Sequence, residues 1–249
     1  EHRSVESKEI PSESLVKKIF SDVNFEDIEI IAVTGGKHGN IGNKIGGAKV
    51  CHVNEVQAIG KGAVALSGIN KTKASIIVSA GSGTACILSK DGKFTHCSGT
   101  GVGGGTILGL SKLLLGTIDP QEIQLLASSG DPKNIDLILE DVVTGPVGAL
   151  PPDTTAVNFG KIAKTNEIYS REDLAAAILN LVGQTSARIA TSVAFAYQAT
   201  DIIVVGRAPT FDMLKKSIKE ASSLTGFTPH FPENGIYASA LGALMIAEA

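Results

Sequence analysis

Several features of secreted and membrane proteins are missing from this sequence. It has no tryptophan, only three cysteines, and no apolar run near the roughly 18 residues that cross a membrane. Cys51, Cys86 and Cys97 form no C-x-x-C pair and no zinc-ligand spacing, so we interpret them as reduced thiols that act as small buried side chains. The polar N-terminal residues do not resemble a signal peptide. We therefore predict a soluble cytoplasmic protein without a membrane partner.

Concentrated positive charge is also missing. Lysine and arginine number 22 against 25 aspartates and glutamates, the net charge is −3, and the cations occur singly or in pairs. A protein that binds DNA or RNA neutralises many phosphates with a clustered cationic surface, so we predict no nucleic-acid partner. The five histidines show no metal-ligand spacing, and we predict no metal site built from protein side chains.

Glycine, by contrast, is abundant: the chain has 28 glycines, and they occur in clusters. Such clusters occur where the backbone turns sharply or comes close to a ligand. Strand and helix patterns alternate along the chain, which predicts an α/β protein. We predict strands at residues 1–10, 28–33, 50–53, 75–79, 85–89, 201–206 and directly after the turn at 90–93. We predict helices at residues 12–20, 54–67, 119–128, 133–139, 171–199, 211–224, 238–247 and directly after residue 105.

The chain also shows one candidate boundary between two lobes. Residues 70–73 form a polar stretch between two regular elements. We therefore predict an N-terminal lobe of residues 1–73 and a C-terminal lobe of residues 74–249.

The first candidate site is the turn between two predicted strands, residues 79–84 (SAGSGT). Its glycines allow a close approach, and its backbone N–H and hydroxyl groups can surround phosphate oxygens. Gly-Ser turns are also common in ordinary hairpins. From the residues alone, both interpretations of this turn stay open.

A second glycine cluster occupies residues 99–106 (GTGVGGGT), and a helix pattern follows it directly. The start of a helix presents unpaired N–H groups and a partial positive charge, which together attract anions. Three consecutive glycines cost backbone entropy, so a loop with only a structural role rarely has them. The cluster lacks the G-K-[ST] ending of a P-loop and fits the dinucleotide fingerprint poorly. We therefore favour phosphate binding over a plain loop here.

Two further positions are ambiguous from the residues alone. Residues 201–207 form a buried strand and a turn, and ligands of α/β sheets bind at the carboxyl ends of such strands. A plain strand-to-helix turn fits this segment equally well. Glu55 stands at the predicted start of a helix, where a general base can face a cleft. The helix dipole alone also stabilises a glutamate at that position, and the residues by themselves favour this simpler interpretation.

Taken in order, these segments resemble the type II pantothenate kinases, the fumble-like family of the actin, hexokinase and Hsp70-like ATPase superfamily. The resemblance runs from residue 28 to the C-terminus. It rests on residues 33–36 (VTGG), 54–58 (NEVQA), 98–110 (SGTGVGGGTILGL), 130–131 (GD), 135–137 (IDL), 156–161 (AVNFGK), 232–235 (PENG) and 238–243 (ASALGA).

The resemblance implies an actin-like, ribonuclease H-like two-lobed fold, an obligate homodimer with its dimerisation helices in the C-terminal lobe, and the use of ATP and Mg²⁺. It implies phosphorylation of the terminal hydroxyl of pantothenate, the first step of coenzyme A biosynthesis. Glu55 is then the catalytic base. The implied ligands of the nucleotide phosphates are Gly81, Ser82, Gly83, Thr84, Gly101, Gly103, Gly104, Gly105 and Thr106. The adenosine side is implied at Gly206 and Arg207, and the substrate contacts at His96, Ser98 and Gly99.

Three features depart from the family pattern. The first phosphate loop of the superfamily, an aspartate followed by Gly-Gly-Thr, belongs before a strand like residues 1–7 and is absent here. We therefore expect a first lobe truncated at its N-terminus and no turnover by the chain without that loop. His96 stands where the family has an arginine that contacts pantothenate, and imidazole is mostly neutral at pH 7. Arg207 replaces a small residue on the adenosine side.

Three functions follow from these observations. The leading hypothesis is a pantothenate kinase, an ATP-dependent phosphotransferase with a small-molecule alcohol as acceptor. The second is a kinase of the same fold for another small hydroxylated substrate, which His96 in place of arginine favours. The third is a non-catalytic regulator that binds ATP, which the missing first phosphate loop and His96 favour.

Overall fold

The computed structural model of the chain describes residues 3, 10–69, 73–165 and 167–249. The strand predicted over residues 1–10 and most of the lobe junction predicted at residues 70–73 lie outside the described residues. The helices are α1 Glu13–Ile19, α2 Glu55–Ser67, α3 Gly104–Leu115, α4 Pro120–Ser129, α5 Leu139–Val142, α6 Arg171–Ala196, α7 Asp212–Ser223 and α8 Ala238–Ala247. The strands are β1 Ile30–Val33, β2 Lys44–Ile45, β3 Ala48–His52, β4 Ser75–Ala80, β5 Thr84–Lys90, β6 Lys93–Thr100, β7 Leu137–Ile138, β8 Thr155–Val157 and β9 Asp201–Val205.

A small sheet is formed by the first three strands in the order β1-β3-β2. β1 and β3 are parallel, and the short β2 pairs antiparallel with β3. Its apolar side chains form a core of their own, made of Val33, Ile41, Ile45 and Val50. The sequence analysis assigned residues 37–47 to a glycine-rich loop and missed β2, because two residues are too short to show a strand pattern.

A larger sheet has the order β6-β5-β4-β9, and it carries the main core of the protein. β4, β5 and β6 form an antiparallel meander, as predicted, and β9 pairs parallel with β4. One face of the sheet packs against α3, α4, α6 and α7 in the largest apolar cluster. The other face packs against α2 through Ile59, Ala63 and Val64. The sheet is therefore covered by helices on both sides, which is the layer arrangement of an α/β protein.

Helices α2 and α8 cross at very close range because glycine stands at the contact on both helices. A Cβ atom on Gly62 would lie 1.8 Å from the carbonyl oxygen of Ala238, and one on Gly242 would lie 1.8 Å from that of Ala58. α8 also contacts β1, so it joins α2 to the small sheet. The lobe boundary predicted at residue 73 stays a prediction, but α2 precedes it and packs on the sheet that follows it.

The helix predicted at residues 133–139 is wrong. Residues Pro132–Asn134 form a single 3₁₀ turn, and the chain then enters β7, which pairs with β8. The side chain of Asp131 accepts a hydrogen bond from the backbone N–H of Lys133 and so stabilises the turn. The carboxylate of Asp136 accepts a hydrogen bond from the backbone N–H of Phe159, beyond β8. This tertiary contact is invisible in the local sequence, and it favours the strand over the predicted helix.

Most other predicted elements are confirmed. α1 begins after Ser12, whose hydroxyl accepts a hydrogen bond from the backbone N–H of Leu15, as expected for an N-cap. α2 ends at Gly68, which has the left-handed backbone conformation that favours glycine. Within the described ranges, no helix has the length and apolar character required to span a bilayer.

Candidate active site

The two predicted phosphate-binding segments meet at one end of the larger sheet. The turn between β4 and β5 and the first residues of α3 are joined by two backbone hydrogen bonds. The N–H of Gly104 donates to the carbonyl oxygen of Gly81 at 2.8 Å, and the N–H of Gly105 donates to that of Ser82 at 2.8 Å. The residues alone gave these segments as separate candidates, the family resemblance assigned both to the nucleotide phosphates, and the structure brings them into contact.

Glycine is required at this junction because the two backbones are almost in contact. A Cβ atom on Gly103 would lie 2.6 Å from the carbonyl carbon of Gly83, and one on Gly83 would lie 2.9 Å from the carbonyl oxygen of Thr100. Real Cβ atoms do not approach backbone atoms this closely, so any larger residue would separate the loops. The glycines therefore have a packing role, and the N–H groups of Gly104 and Gly105 are already bonded to carbonyl oxygens.

The hairpin tip retains groups that can bind an anion. In the turn and loop contacts of the described segments, the backbone N–H groups of Ser82 and Gly83 donate to no backbone carbonyl, and Ser82 is exposed. Two adjacent N–H groups and a hydroxyl on a tight turn form a concave set of donors that suits a phosphate oxygen. The N–H of Gly101, another predicted phosphate ligand, also donates to no backbone carbonyl among these contacts, and Gly101 is exposed.

The hydroxyls of Thr84 and Thr106 have internal partners. Thr84 is only 4% exposed, and its Oγ1 donates to the carbonyl oxygen of Val102 at 2.8 Å. Thr106 Oγ1 accepts from the N–H of Gly103 at 3.2 Å and donates to the carbonyl oxygen of Gly101 at 3.2 Å. These two side chains stabilise the glycine loop. A direct contact between either hydroxyl and a phosphate stays a prediction.

The predicted adenosine side lies next to this junction. Gly206 follows β9 with φ +103°, and a Cβ atom there would lie 2.5 Å from the carbonyl oxygen of Ala80 at the end of β4. Ala208 lies beside the start of α3, where its Cβ is 3.9 Å from the Cβ position of Gly104. Arg207 is exposed between them. The structure therefore brings the hairpin tip, the helix start and the turn after β9 to the same end of the sheet.

The predicted substrate contacts lie on β6, around a β-bulge. His96 pairs with Ile87 and Ser98 pairs with Cys86, so Cys97 is the extra residue. A bulge changes the direction of the side chains next to it and is frequent beside active sites. The Nε2 atom of His96 is 3.6 Å from the Cβ position of Gly99, so these two residues are neighbours in space. His96 is exposed, and Ser98 is half-buried.

Glu55 occupies the first turn of α2, where its side chain is exposed. Asn54 caps the helix by accepting hydrogen bonds from the backbone N–H groups of Val56 at 3.0 Å and Gln57 at 3.2 Å. The side chain of Gln57 donates to the carbonyl oxygen of Phe94 on β6 at 2.8 Å. This bond fixes the start of α2 against the strand that carries His96.

Cys86 and Cys97 have the environment of unreactive thiols, whereas Cys51 is only half-buried. Cys86 is fully buried, and burial raises the pKa of its thiol to about 12. Burial also raises the pKa of Cys97, whose Sγ donates to the carbonyl oxygen of Cys86 at 3.2 Å. A thiol that stays protonated is a poor nucleophile and metal ligand. In the part of the chain that the structure describes, no three side chains of histidine, cysteine, aspartate or glutamate are arranged to hold a metal ion.

A buried carboxylate network was missed by the sequence analysis. Asp136 has no exposed surface, and its carboxylate accepts hydrogen bonds from the N–H of Phe159 at 2.8 Å and from the side-chain amides of Asn180 at 2.9 Å and Asn158 at 3.1 Å. Burial raises its pKa in spite of these donors. An aspartate between apolar residues was the available signal, but its partners are too distant in sequence to be paired by inspection.

The network borders a cavity of about 910 Å³ between α4, α6, α7 and the segments around Asp131 and Thr154. None of the predicted site residues lines this cavity. The donors and close contacts that suit a nucleotide lie at the hairpin junction, so we place the candidate site there.

One end of the mixed sheet carries a hairpin turn, a glycine-rich helix start and a strand-turn-helix unit. This is the arrangement of the actin-like ATPase fold. Solved structures agree. The activator of the 2-hydroxyisocaproyl-CoA dehydratase from Clostridium difficile with bound ADPNP has a TM-score of 0.58 at 15% identity, over 94% of this chain and 79% of that one. A ROK family protein from Streptococcus pneumoniae in complex with sucrose has a TM-score of 0.53 at 10% identity, over 95% and 86%. The predicted fold class is confirmed.

The sequence comparisons identify the family. The Fumble family model matches residues 70–246, and the chain belongs to the Fumble family. A protein of Staphylococcus epidermidis named type II pantothenate kinase is 30% identical over 236 residues, which cover 93% of this chain and 88% of that protein. A protein of Bacillus anthracis with the same name is 30% identical over 230 residues, which cover 90% and 83%. The predicted family is confirmed.

Proposed function

We propose that this protein is a pantothenate kinase, which transfers the γ-phosphoryl group of ATP to the terminal hydroxyl of pantothenate in the first step of coenzyme A biosynthesis. The observation that carries the proposal is the similarity to type II pantothenate kinases over 93% of the chain. The actin-like fold supports the use of ATP, since a solved structure of this fold contains ADPNP. The hairpin junction supplies the donors that the phosphates need.

In this proposal, the chain binds the nucleotide through backbone groups. The N–H groups of Ser82 and Gly83 and the hydroxyl of Ser82 contact phosphate oxygens, and the turn at Gly206 and Arg207 contacts the adenosine. Phosphoryl transfer depends mainly on positioning and on stabilisation of the charge that spreads over the transferred group. A rigid turn of backbone donors meets both requirements.

Mg²⁺ is proposed to bind mainly to the nucleotide. It prefers oxygen ligands, keeps several waters, and is commonly held by substrate phosphates with one or two protein oxygens. In the described segments of the chain, no cluster of three acidic or imidazole ligands competes with that arrangement. When bound, the ion would supply positive charge next to the phosphate oxygens.

Glu55 is proposed as the general base. Its carboxylate takes the proton of the acceptor hydroxyl while the hydroxyl oxygen bonds to the γ-phosphorus, the bond to the β-phosphate oxygen breaks, and ADP leaves. Its exposure at the start of α2 leaves room for a substrate, and Gln57 fixes that turn against β6. His96 and Ser98 then contact the acceptor. The imidazole of His96 donates a hydrogen bond where the family has an arginine.

We also propose that the protein acts as a homodimer in the cytoplasm. The side chains of Leu113 on α3 and Leu125 on α4 are 81% and 70% exposed, respectively. Large apolar side chains in such positions are typical of surfaces that another protein covers. Sedimentation of the purified protein measures this directly, and a single monomeric species at micromolar concentration would contradict it.

The test is an ATP-consumption assay of the full-length gene product with pantothenate, pantetheine and sugars as acceptors. We expect turnover with pantothenate, and for Glu55→Gln a loss of about 10²- to 10⁴-fold in kcat with unchanged affinity for an ATP analogue. Glu172→Gln is the matched control, because Glu172 also stands in the first turn of a helix but lies on α6. A kcat of Glu55→Gln equal to that of Glu172→Gln would remove Glu55 from the role of base.

The same assay separates the alternatives. Turnover with another acceptor and not with pantothenate would favour a kinase of the same fold, which the imidazole of His96 in place of a guanidinium allows. Nucleotide binding without any turnover would favour the regulator. Turnover by the 249-residue chain would contradict the expectation that a chain without the Asp-Gly-Gly-Thr loop is inactive.

A further inference from the structure

A buried chain of hydroxyl groups joins helix α6 to both phosphate-binding segments. Ser186 on α6 is 2% exposed, and its Oγ lies 3.1 Å from Oγ1 of Thr84, the first residue of β5. Thr84 Oγ1 in turn lies 2.8 Å from the carbonyl oxygen of Val102 in the glycine loop. No predicted site residue lies on α6, and neither the family resemblance nor the glycine pattern points to Ser186.

The direction of these hydrogen bonds follows from the number of protons. A threonine hydroxyl has one proton to donate, and a carbonyl oxygen can only accept. Thr84 must therefore give its proton to Val102. Ser186 must then donate to Thr84, because Thr84 has no second proton. The order is Ser186 to Thr84 to Val102, and hydrogen bonds in such a chain strengthen one another.

The far end of this chain fixes the conformation of the glycine loop. The peptide between Val102 and Gly103 is bonded on both sides, because its oxygen accepts from Thr84 and its N–H donates to Thr106 Oγ1 at 3.2 Å. The N–H of Val102 is also engaged, with Thr100 Oγ1 at 3.1 Å. The peptide plane that precedes the start of α3 is therefore held in one orientation.

We propose that Ser186 is a positioning residue of the nucleotide site. It holds Thr84 at the base of the hairpin turn and, through Thr84, sets the orientation of the loop that leads into α3. This inference rests on the proposed function, because it assigns the hairpin junction to nucleotide phosphates. Water cannot readily replace a lost bond, since both hydroxyl side chains are buried, so removal of the serine hydroxyl loosens the junction.

The test compares Ser186→Ala with Thr191→Val. Thr191 is a matched control, because it is also buried on α6, but its hydroxyl donates only to the carbonyl oxygen of Arg188 on the same helix. We expect Ser186→Ala to weaken the binding of a non-hydrolysable ATP analogue by about fivefold, the usual effect of one neutral hydrogen bond. KM for ATP rises by a similar factor, and KM for pantothenate stays constant. Thr191→Val has wild-type affinity for the analogue.

A second pair of variants tests the same hydrogen bonds in case Ser186→Ala does not fold. Thr84→Val deletes the central hydroxyl at nearly constant volume, whereas Thr84→Ser keeps it. We expect Thr84→Ser to bind the analogue several-fold more tightly than Thr84→Val. Equal affinities within both pairs would overturn the proposal.

The outcomes also distinguish this inference from the proposed function. In one outcome, the wild-type protein binds the analogue but does not phosphorylate pantothenate, and Ser186→Ala lowers the affinity for the analogue. This outcome refutes the function and supports the positioning role. Turnover of pantothenate with equal affinities within both pairs supports the function and refutes the positioning role. A wild-type protein without affinity for the analogue refutes both.

Discussion

Glycine allows very close backbone contacts in two regions of this molecule that serve different purposes. Where α2 crosses α8, Gly62 and Gly242 let two helices approach until a Cβ atom would be 1.8 Å from a carbonyl oxygen. At the phosphate junction, Gly83 and Gly103 let two loops approach to a comparable degree, with a Cβ of Gly103 at 2.6 Å from Gly83. The same residue type solves the same steric problem in both places.

The two regions differ in what their backbone groups do. In the crossing of α2 and α8, the helices bond their own N–H and C=O groups, so close approach yields only van der Waals contact. At the junction, the N–H groups of Gly104 and Gly105 bond across the interface, and those of Ser82 and Gly83 remain available. Glycine therefore indicates a binding site only where it also interrupts regular hydrogen bonding.

The largest effect is expected at the helix crossing. Gly62→Ala or Gly242→Ala places a methyl group on a carbonyl of the facing helix, and neither backbone can move without separating α2 from α8. We expect each variant to lower the free energy of unfolding by about 3 kcal/mol or more, which urea denaturation measures.

Gly109→Ala is the control for that substitution. Gly109 is exposed in the middle of α3, and its Cβ position has no atom within 4 Å. Alanine there raises the free energy of unfolding by about 0.5–1 kcal/mol, because it reduces the entropy of the unfolded chain. A loss of stability in Gly62→Ala no greater than that in Gly109→Ala would show that the helices adjust freely.

At the phosphate junction, the main effect falls on binding. Gly103→Ala forces the glycine loop away from Gly83, and the hairpin tip loses its position relative to α3. We expect the affinity for an ATP analogue to fall on the order of tenfold, while the free energy of unfolding falls by about 1–2 kcal/mol. Titration of the analogue against Gly103→Ala and Gly109→Ala measures the difference. Equal affinities would mean that the junction is not the nucleotide site.

The smallest effect is expected at Asp136, where the contacts are hydrogen bonds to a buried carboxylate and not close approaches of glycine. Burial raises the pKa of Asp136 above its usual 3.8, so the folded state binds the proton more tightly than the unfolded state does. Its contribution to stability is therefore fully present below pH 3.8 and is lost as the pH rises through the raised pKa. Asp136→Asn cannot titrate and lacks this dependence.

Urea denaturation between pH 3 and pH 7 measures the effect on the wild type and on Asp136→Asn. We expect the stability of the wild type relative to the variant to decrease with rising pH across this interval and then to level off. A difference that is constant with pH would show that Asp136 titrates as an ordinary surface carboxylate. Neither glycine contact contains an ionisable side chain. The stability difference between each glycine variant and the wild type should therefore not change with pH, and it serves as a reference.

The sequence predicts those parts of the fold and site that depend on nearby residues. The hairpin of β4 and β5, the start of α3 after the glycine cluster and the N-cap of α1 each follow from a few adjacent residues, such as Ser12. The glycines at residues 103–105 were singled out for phosphate binding, which stays a prediction, and their packing role at the junction was not foreseen.

The missed features depend on residues that meet only after folding. Ser186 has nothing in its local sequence that distinguishes it from other small residues of α6, and its significance comes from Thr84, a distant residue. Asp136 was placed in a predicted helix, because its hydrogen-bond partners Asn158 and Asn180 are distant in sequence. Local propensity cannot predict such contacts, because tertiary packing overrides it.

The crossing of α2 and α8 also bears on the order in which the protein assembles during synthesis. α2 carries Glu55 and leaves the ribosome early, whereas α8 follows after most of the chain. Until α8 arrives, the surface around Ala58 and Gly62 has no partner, and contacts between such distant segments form slowly. α2 can already pack on the larger sheet through Ile59, Ala63 and Val64, so the late contact with α8 completes the packing of the helix that carries the proposed base.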